Sequence, residues 1–143
     1  MQYEKSCGAV VFTKIGTDIR YLLVSNLNGF YGFPKGHMES GETEAETALR
    51  EIYEEANVNV ELIDGFRKTD EYKNPQKDDT IKRVTYLLGE FRNQNVIWQS
   101  EELSGAYLVT YTEAMDLLQF ESLKYILEEA DNYINSKDVI EKG

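Results

Sequence analysis

Residues 36–58 of the 143-residue chain read GHMESGETEAETALREIYEEANV. The second half of that stretch is written as a capped helix. Thr43-Glu44-Ala45-Glu46 has the Thr-x-x-Glu form of a capping box, in which hydroxyl and carboxylate satisfy the first free backbone amides reciprocally. Ala45, Ala48, Leu49, Ile52 and Ala56 then recur at helical spacing, predicting a helix over about 43–56. Asn57 suits its end, because Asn is among the few non-glycine residues that tolerate the left-handed conformation used there.

Within this helix Glu51, Glu54 and Glu55 stand at i, i+3 and i+4, so the three project from one face within one turn. Like charges so close repel one another. A solvated acidic face is the ordinary fate of such a run. The alternative is a hard divalent cation such as magnesium or manganese, whose natural ligands are oxygens.

Working outward, Asn26 to Gly41 holds four glycines, at 29, 32, 36 and 41, with Pro34, and shows no periodicity. It reads as a long loop, the kind of segment that carries function. Before it, Lys5 to Phe12 and Arg20 to Ser25 are β-branched and aromatic runs separated by the turn-forming Gly16-Thr17-Asp18. After the helix, Val58 to Ile63, Phe66 to Tyr72 and Thr80 to Phe91 have strand character, with 74–79 as a polar loop, and Ala106 to Thr110 forms a further short strand.

Thr112 can cap a short helix, and Leu123, Ile126, Leu127, Ala130 and Ile134 mark a longer amphipathic helix after Ser122. The polar tail from Ser136 is expected to fray. With no internal repeat and no break in composition, residues 1–143 read as a single domain, a mixed sheet with helices packed on it.

Lys plus Arg number 15 against 26 Asp plus Glu, a net charge of −11, and His37 is the single histidine. Residues 36–58 alone carry seven glutamates and one arginine, so −6 of the −11 belongs to them. This balance disfavours unaided binding to a long phosphate backbone. Residues 65–92 are the local exception, with seven cations against five anions, or +2. A basic segment beside an acidic helix would make a two-sided clamp for a polyphosphate.

The lone Cys7, set among strand residues, reads as a buried thiol of a reducing compartment. The amino terminus lacks a basic start followed by an apolar run, and no stretch approaches about 18 apolar residues. The expectation is a soluble cytoplasmic protein without a membrane partner.

Taken as a pattern, Gly36, Glu42, Arg50-Glu51-Ile52, Glu54-Glu55 and Val58 resemble the Nudix box, G-x5-E-x7-R-E-U-x-E-E-x-G-U with U apolar, at every position but one. The departure is Asn57 where the family has glycine. Membership in that family implies an α/β Nudix fold, with a mixed β-sheet sandwiched between helices. It also implies a magnesium or manganese cofactor held by Glu51, Glu54, Glu55 and the carbonyl of Gly36. Arg50, paired with Glu42, would orient the glutamates. Glu55, or a carboxylate of the later Glu101-Glu102 pair, would accept the proton of the attacking water.

Upstream, Tyr31-Gly32-Phe33-Pro34-Lys35-Gly36-His37 resembles the aromatic-x-Phe-Pro-Lys-Gly-His stretch of the family's asymmetric diadenosine tetraphosphate hydrolases, where Trp is more usual at the position of Tyr31. Weaker likenesses extend over most of the chain. By that resemblance the substrate is a small dinucleoside polyphosphate or nucleotide, cleaved to ATP and AMP when it is diadenosine tetraphosphate. Lys35, His37 and Lys82 would contact phosphate, and Tyr72 and Phe120 would stack on adenine. Two other activities use the same box, 5′-pyrophosphate removal from RNA and cleansing of nucleoside triphosphates. A nucleotide-sensing domain without chemistry is the non-enzymatic alternative. The expected assembly state is monomer or weak dimer.

Overall fold

The structure is a computed structural model that describes residues 1–142, with side chains described as far as Lys137. In chain order the elements are β1 (Gln2–Ile15), β2 (Asp18–Asn26), β3 (Tyr31–Gly32), β4 (Lys35–His37), α1 (Glu44–Ala56), β5 (Glu61–Leu62), β6 (Lys68–Lys73), β7 (Thr80–Glu90), β8 (Leu103–Val109), α2 (Tyr111–Leu117) and α3 (Glu121–Lys142). The strands form one eight-stranded sheet. Its spine is the parallel pairing of β1 with β7, in register from Gln2↔Thr80 to Phe12↔Glu90; the other pairings are antiparallel.

Strand periodicity explains the layers. Val10, Phe12, Tyr21, Leu23, Val84, Tyr86 and Leu88 point to one face and bury the apolar stripe of α3. Ala9, Val11 and Leu22 point to the other and bury Ala48, Ile52 and Ala56 of α1. The sheet is therefore sandwiched between helices, as expected of the fold. Leu49, counted with the stripe of α1, instead faces outward and is 38% exposed.

The local signals around α1 are realised. Thr43 is the N-cap of a complete capping box with Glu46, and Asn57 is the C-cap at φ 60°. The second capping residue differs from expectation. Thr110, not Thr112, caps α2, because Thr110 has Glu113 three residues on to complete a capping box, whereas Thr112 has Met115. The helix of α3 continues through Ser136 and Lys137, where a fraying tail was expected; Gly143, the end of that tail, lies outside the described residues.

The long loop is more ordered than its composition suggests. Asn26 Oδ1 accepts from the amides of Asn28 and Phe30, β3 pairs with β2, and β4 pairs with β1 through Ser6↔His37, Cys7↔Gly36 and Gly8↔Lys35. Only glycine fits at position 8, where a Cβ would run into the carbonyl oxygen of Pro34. Cys7 is buried beneath this crossing, and burial pushes its thiol up to about 11. Among the described residues no helix is long and apolar enough to cross a membrane.

Candidate functional site

Arg50 is the hub of the acidic helix. Its Nε and Nη2 donate to Glu42 Oε2 and Oε1 at 2.7 and 3.0 Å, Nη1 donates to Glu51 Oε1 at 2.8 Å and reaches both oxygens of Glu54 at 3.3 Å, and Nη2 also donates to the His37 carbonyl at 2.9 Å. Glu42 Oε1 further accepts from the Glu39 amide and the Thr47 hydroxyl, each at 2.9 Å. These donors hold the Glu42 carboxyl down to about 2. The guanidinium fork is thus fixed at its outer edge and spans the loop carbonyl and two carboxylates of the helix.

Glu51 and Glu55 have the opposite electrostatics. Burial raises the Glu51 carboxyl, against the pull of Arg50, and Glu54 and Glu102 raise it further. Burial and then the charge of Glu51 push Glu55 up to about 8, although it accepts a hydrogen bond from the Lys35 amide at 3.3 Å. The neighbouring ammonium of Lys35 opposes that rise. Glu102, one of the pair singled out in the sequence, adds its charge against both carboxylates.

Among the described residues no three carboxylate, imidazole or thiol groups converge tightly enough to hold a metal ion as they stand. Arg50 holds Glu51 and Glu54, and Glu54 remains 54% exposed. The chemistry of the donors nevertheless fits a hard divalent cation. Burial disfavours the charged forms of Glu51 and Glu55, and a cation bound to their oxygens would stabilise those forms. Gly36 is part of the same arrangement: a Cβ there would collide with the Glu51 carboxylate, which fills the space beside the Gly36 main chain.

Next to this cluster the sheet presents a row of polar side chains. Tyr72 of β6 is opposite Lys82 of β7, which is opposite Glu4 of β1. All three share the face of Val84 and Tyr86 by strand alternation. Lys35 joins the row to the acidic helix: its ammonium is lowered by burial and by Lys82, and Glu55, Glu51 and Asp70 act against that shift. The structure therefore brings Lys35, Gly36, Arg50, Glu51, Glu55, Lys82 and Tyr72 into one region.

His37, exposed on β4, borders the row, its backbone paired with Ser6 of β1, two residues from Glu4. Phe120 stands apart. It is 48% exposed and its ring packs on Phe30 with centroids 5.3 Å apart. Its region connects to the row through Ser122, whose hydroxyl donates to Asp70 Oδ2 at 3.3 Å.

The clamp inferred from the +2 segment is narrower than its composition suggests. Arg67 pairs with Glu44, Lys68 with Glu129, Lys77 with Glu4, Arg83 with Glu71 and Arg92 with Glu90. Those five cations are spent on ion pairs, whereas Lys73 and Lys82 make none among the described residues. Glu4 and Asp70 were not singled out in the sequence. Strand register alone puts them here, and no local signal reveals it.

The NUDIX domain family profile matches residues 4–130. The chain is 33% identical over 144 aligned residues to the asymmetrical bis(5′-nucleosyl)-tetraphosphatase of Sus scrofa, an alignment that takes in 92% of this chain and 96% of that protein. Its fold matches a crystal structure of a Caenorhabditis elegans Ap4A hydrolase binary complex with a TM-score of 0.84, at 24% identity over 93% of this chain and 98% of that one. The NUDIX domain of Shewanella oneidensis NrtR complexed with ADP ribose matches with a TM-score of 0.76 at 17% identity, over 94% and 90% of the two chains.

Proposed function

The chain belongs to the Nudix family, and from that premise we propose that its 143 residues are a single hydrolase domain that cleaves diadenosine tetraphosphate asymmetrically to ATP and AMP. The observation that carries this reading is Lys35, whose amide donates to Glu55 at 3.3 Å and whose ammonium feels both the Glu51 and Glu55 carboxylates and Lys82, the residue opposite Tyr72. A phosphate chain laid from the acidic helix toward Lys82 would bring its nucleoside to the ring of Tyr72. The Sus scrofa relative is named for the same reaction.

The roles follow the chemistry of each group. Glu51, Glu54, Glu55 and the Gly36 carbonyl hold the divalent cation, magnesium by our reading, with manganese as a substitute. When bound, that ion neutralises phosphate oxygens and lowers the pKa of water. Arg50, anchored on Glu42, orients Glu51 and Glu54. Glu55, whose carboxylate accepts from the Lys35 amide at 3.3 Å, is the group to which we assign the proton of the attacking water.

Lys35, Lys82 and His37 contact the phosphates as donors, and Tyr72 stacks on one adenine. Phe120, beside Phe30, offers a second ring surface for the other adenine. The lone buried thiol of Cys7 supports a reducing, cytoplasmic location, and we expect a monomer or weak dimer.

The test is a panel of dinucleoside polyphosphates, nucleoside triphosphates and 5′-triphosphate RNA incubated with magnesium, the products resolved by chromatography. Equal amounts of ATP and AMP from diadenosine tetraphosphate are expected. An intact dinucleotide alongside a cleaved triphosphate or RNA would replace this reading with one of the other Nudix activities.

A further inference from the structure

A helix leaves its last carbonyls without partners along its own backbone, and α1 has no basic residue in its last turn to serve them. A distant segment, between β7 and β8, does so instead. The Ile97 amide donates to the Ala56 carbonyl at 3.0 Å and the Gln99 amide to the Glu55 carbonyl at 3.4 Å. The side chain of Gln99 adds a third bond, from Nε2 to the Tyr53 carbonyl at 2.6 Å. Gln99 thus grips the end of α1 through both its main chain and its side chain, on the turn of helix that carries Glu54 and Glu55.

Past Gln99 the chain folds into a tight turn. The Ser100 carbonyl accepts from Trp98 Nε1 at 2.7 Å and from the Leu103 amide at 3.3 Å, and the Ser100 hydroxyl accepts from the Glu102 amide at 3.2 Å. Glu102 is therefore fixed at its own backbone, three residues from the clamp. Its carboxylate lies within electrostatic reach of Glu51 and Glu55, since its charge helps to raise both. Like charges brought together in this way push the turn away from the helix unless something anchors it. Ordering the turn in advance removes that cost from the binding of a cation.

We propose that Gln99 is a positioning residue of the carboxylate cluster: it clamps the turn at 100–103 to the end of α1 and so keeps Glu102 within reach of a cation held by Glu51 and Glu55. This deepens the proposed function, since it rests on those two carboxylates being cation ligands. It does not depend on which nucleotide is cleaved.

The experiment is calorimetric titration of the metal-free full chain with manganese, no nucleotide being present, for the wild type, Gln99→Met, Glu102→Gln and the double variant. Methionine keeps the length of glutamine and removes the donor. Loss of one hydrogen bond that orders the turn should weaken manganese binding by roughly threefold to tenfold. Because Gln99 acts through Glu102, the double variant should bind as Glu102→Gln does, with no further loss. Trp98 is the only tryptophan of the chain and reports on the turn without any metal. Its fluorescence should be quenched more readily by acrylamide in Gln99→Met than in the wild type. Gln99→Ala, which removes the same bond by shortening the side chain, should behave alike and serves if the methionine variant does not fold.

The proposal is overturned if the glutamine variants bind manganese as the wild type does, if their loss is undiminished in the Glu102→Gln background, or if the quenching of Trp98 is unchanged. A wild type that binds no manganese would take the cation assignment of Glu51 and Glu55 down with it. Failure to cleave diadenosine tetraphosphate in the substrate panel would sink the proposed substrate alone, since these measurements read binding and mobility without turnover.

Discussion

Arg50 closes on Glu42 through two parallel contacts, Nε to Oε2 at 2.7 Å and Nη2 to Oε1 at 3.0 Å, and spends its remaining donors on Glu51, Glu54 and the His37 carbonyl. A planar fork can serve two partners at fixed angles, and an ammonium cannot. Arg50→Lys should therefore fold normally by circular dichroism yet lose turnover by roughly tenfold to a hundredfold, with a smaller change in KM. Turnover near that of the wild type would remove Arg50 from its orienting role.

Gly36 gives a sharper test of the same cluster. A methyl group added there would occupy the space of the Glu51 carboxylate. Gly36→Ala should weaken magnesium activation by at least about tenfold, because the carboxylate must move away from the Gly36 main chain. The readout is the magnesium concentration for half-maximal rate. An unchanged value would show that Glu51 has room to shift without loss of the ion.

Asn57 occupies the left-handed position that the Nudix box gives to glycine, at φ 60°. Replacing it with glycine should leave stability within about 0.5 kcal/mol and activity intact, whereas Asn57→Ala should cost about 1 kcal/mol, since a side chain without a local hydrogen bond bears the left-handed penalty uncompensated. Urea unfolding of the three proteins decides it. Equal stability for alanine and asparagine would mean that the cap residue is not confining the chain.

These local features were readable in the sequence because their causes are local. A capping box, a left-handed Asn and three glutamates at helical spacing lie within a few residues of one another, and so does the alternation that splits Val10 and Phe12 from Ala9 and Val11. What sequence could not supply was register. The contact of Lys35 with Glu55, and the row of Glu4, Lys82 and Tyr72, depend on how strands far apart in the chain align. The excess of cations in 65–92 misled for the same reason, since Arg67 and Lys68 are matched by glutamates on other elements. Thr112 lost to Thr110 as a cap because both could begin a helix and only one has a glutamate three residues on.

Tyr72, 40% exposed at the end of the row, is the proposed platform for adenine. Base stacking on an aromatic ring is worth about 1–3 kcal/mol, so Tyr72→Ala should raise KM for diadenosine tetraphosphate by roughly fivefold to a hundredfold. Tyr72→Phe should keep KM within about twofold, because stacking needs the ring and not the hydroxyl. If phenylalanine is as damaging as alanine, the hydroxyl and not the ring is what the substrate meets.

Glu55 links the electrostatics of the site to pH. Its carboxyl is raised to about 8, first by burial and then by Glu51, whereas an unfolded glutamate titrates near 4.3. Between those values the folded, metal-free protein retains a proton that the unfolded chain has released. The unfolded state then binds fewer protons, and stability must fall as pH rises through the window, by at most about 1.4 kcal/mol per pH unit for this one group. Glu51, raised in the same direction, adds to the slope. With chelator present, urea unfolding should show wild-type stability declining from pH 5 to 8 relative to Glu55→Gln, which has no proton to lose there. Magnesium favours the ionised carboxylate, so its addition should flatten the decline and release protons on binding at pH 7, measurable by calorimetry in buffers of different ionisation enthalpy. Parallel pH profiles for the two proteins, or magnesium binding without proton release, would show that Glu55 is already ionised in the folded protein and that its burial has no cost for the cation to offset.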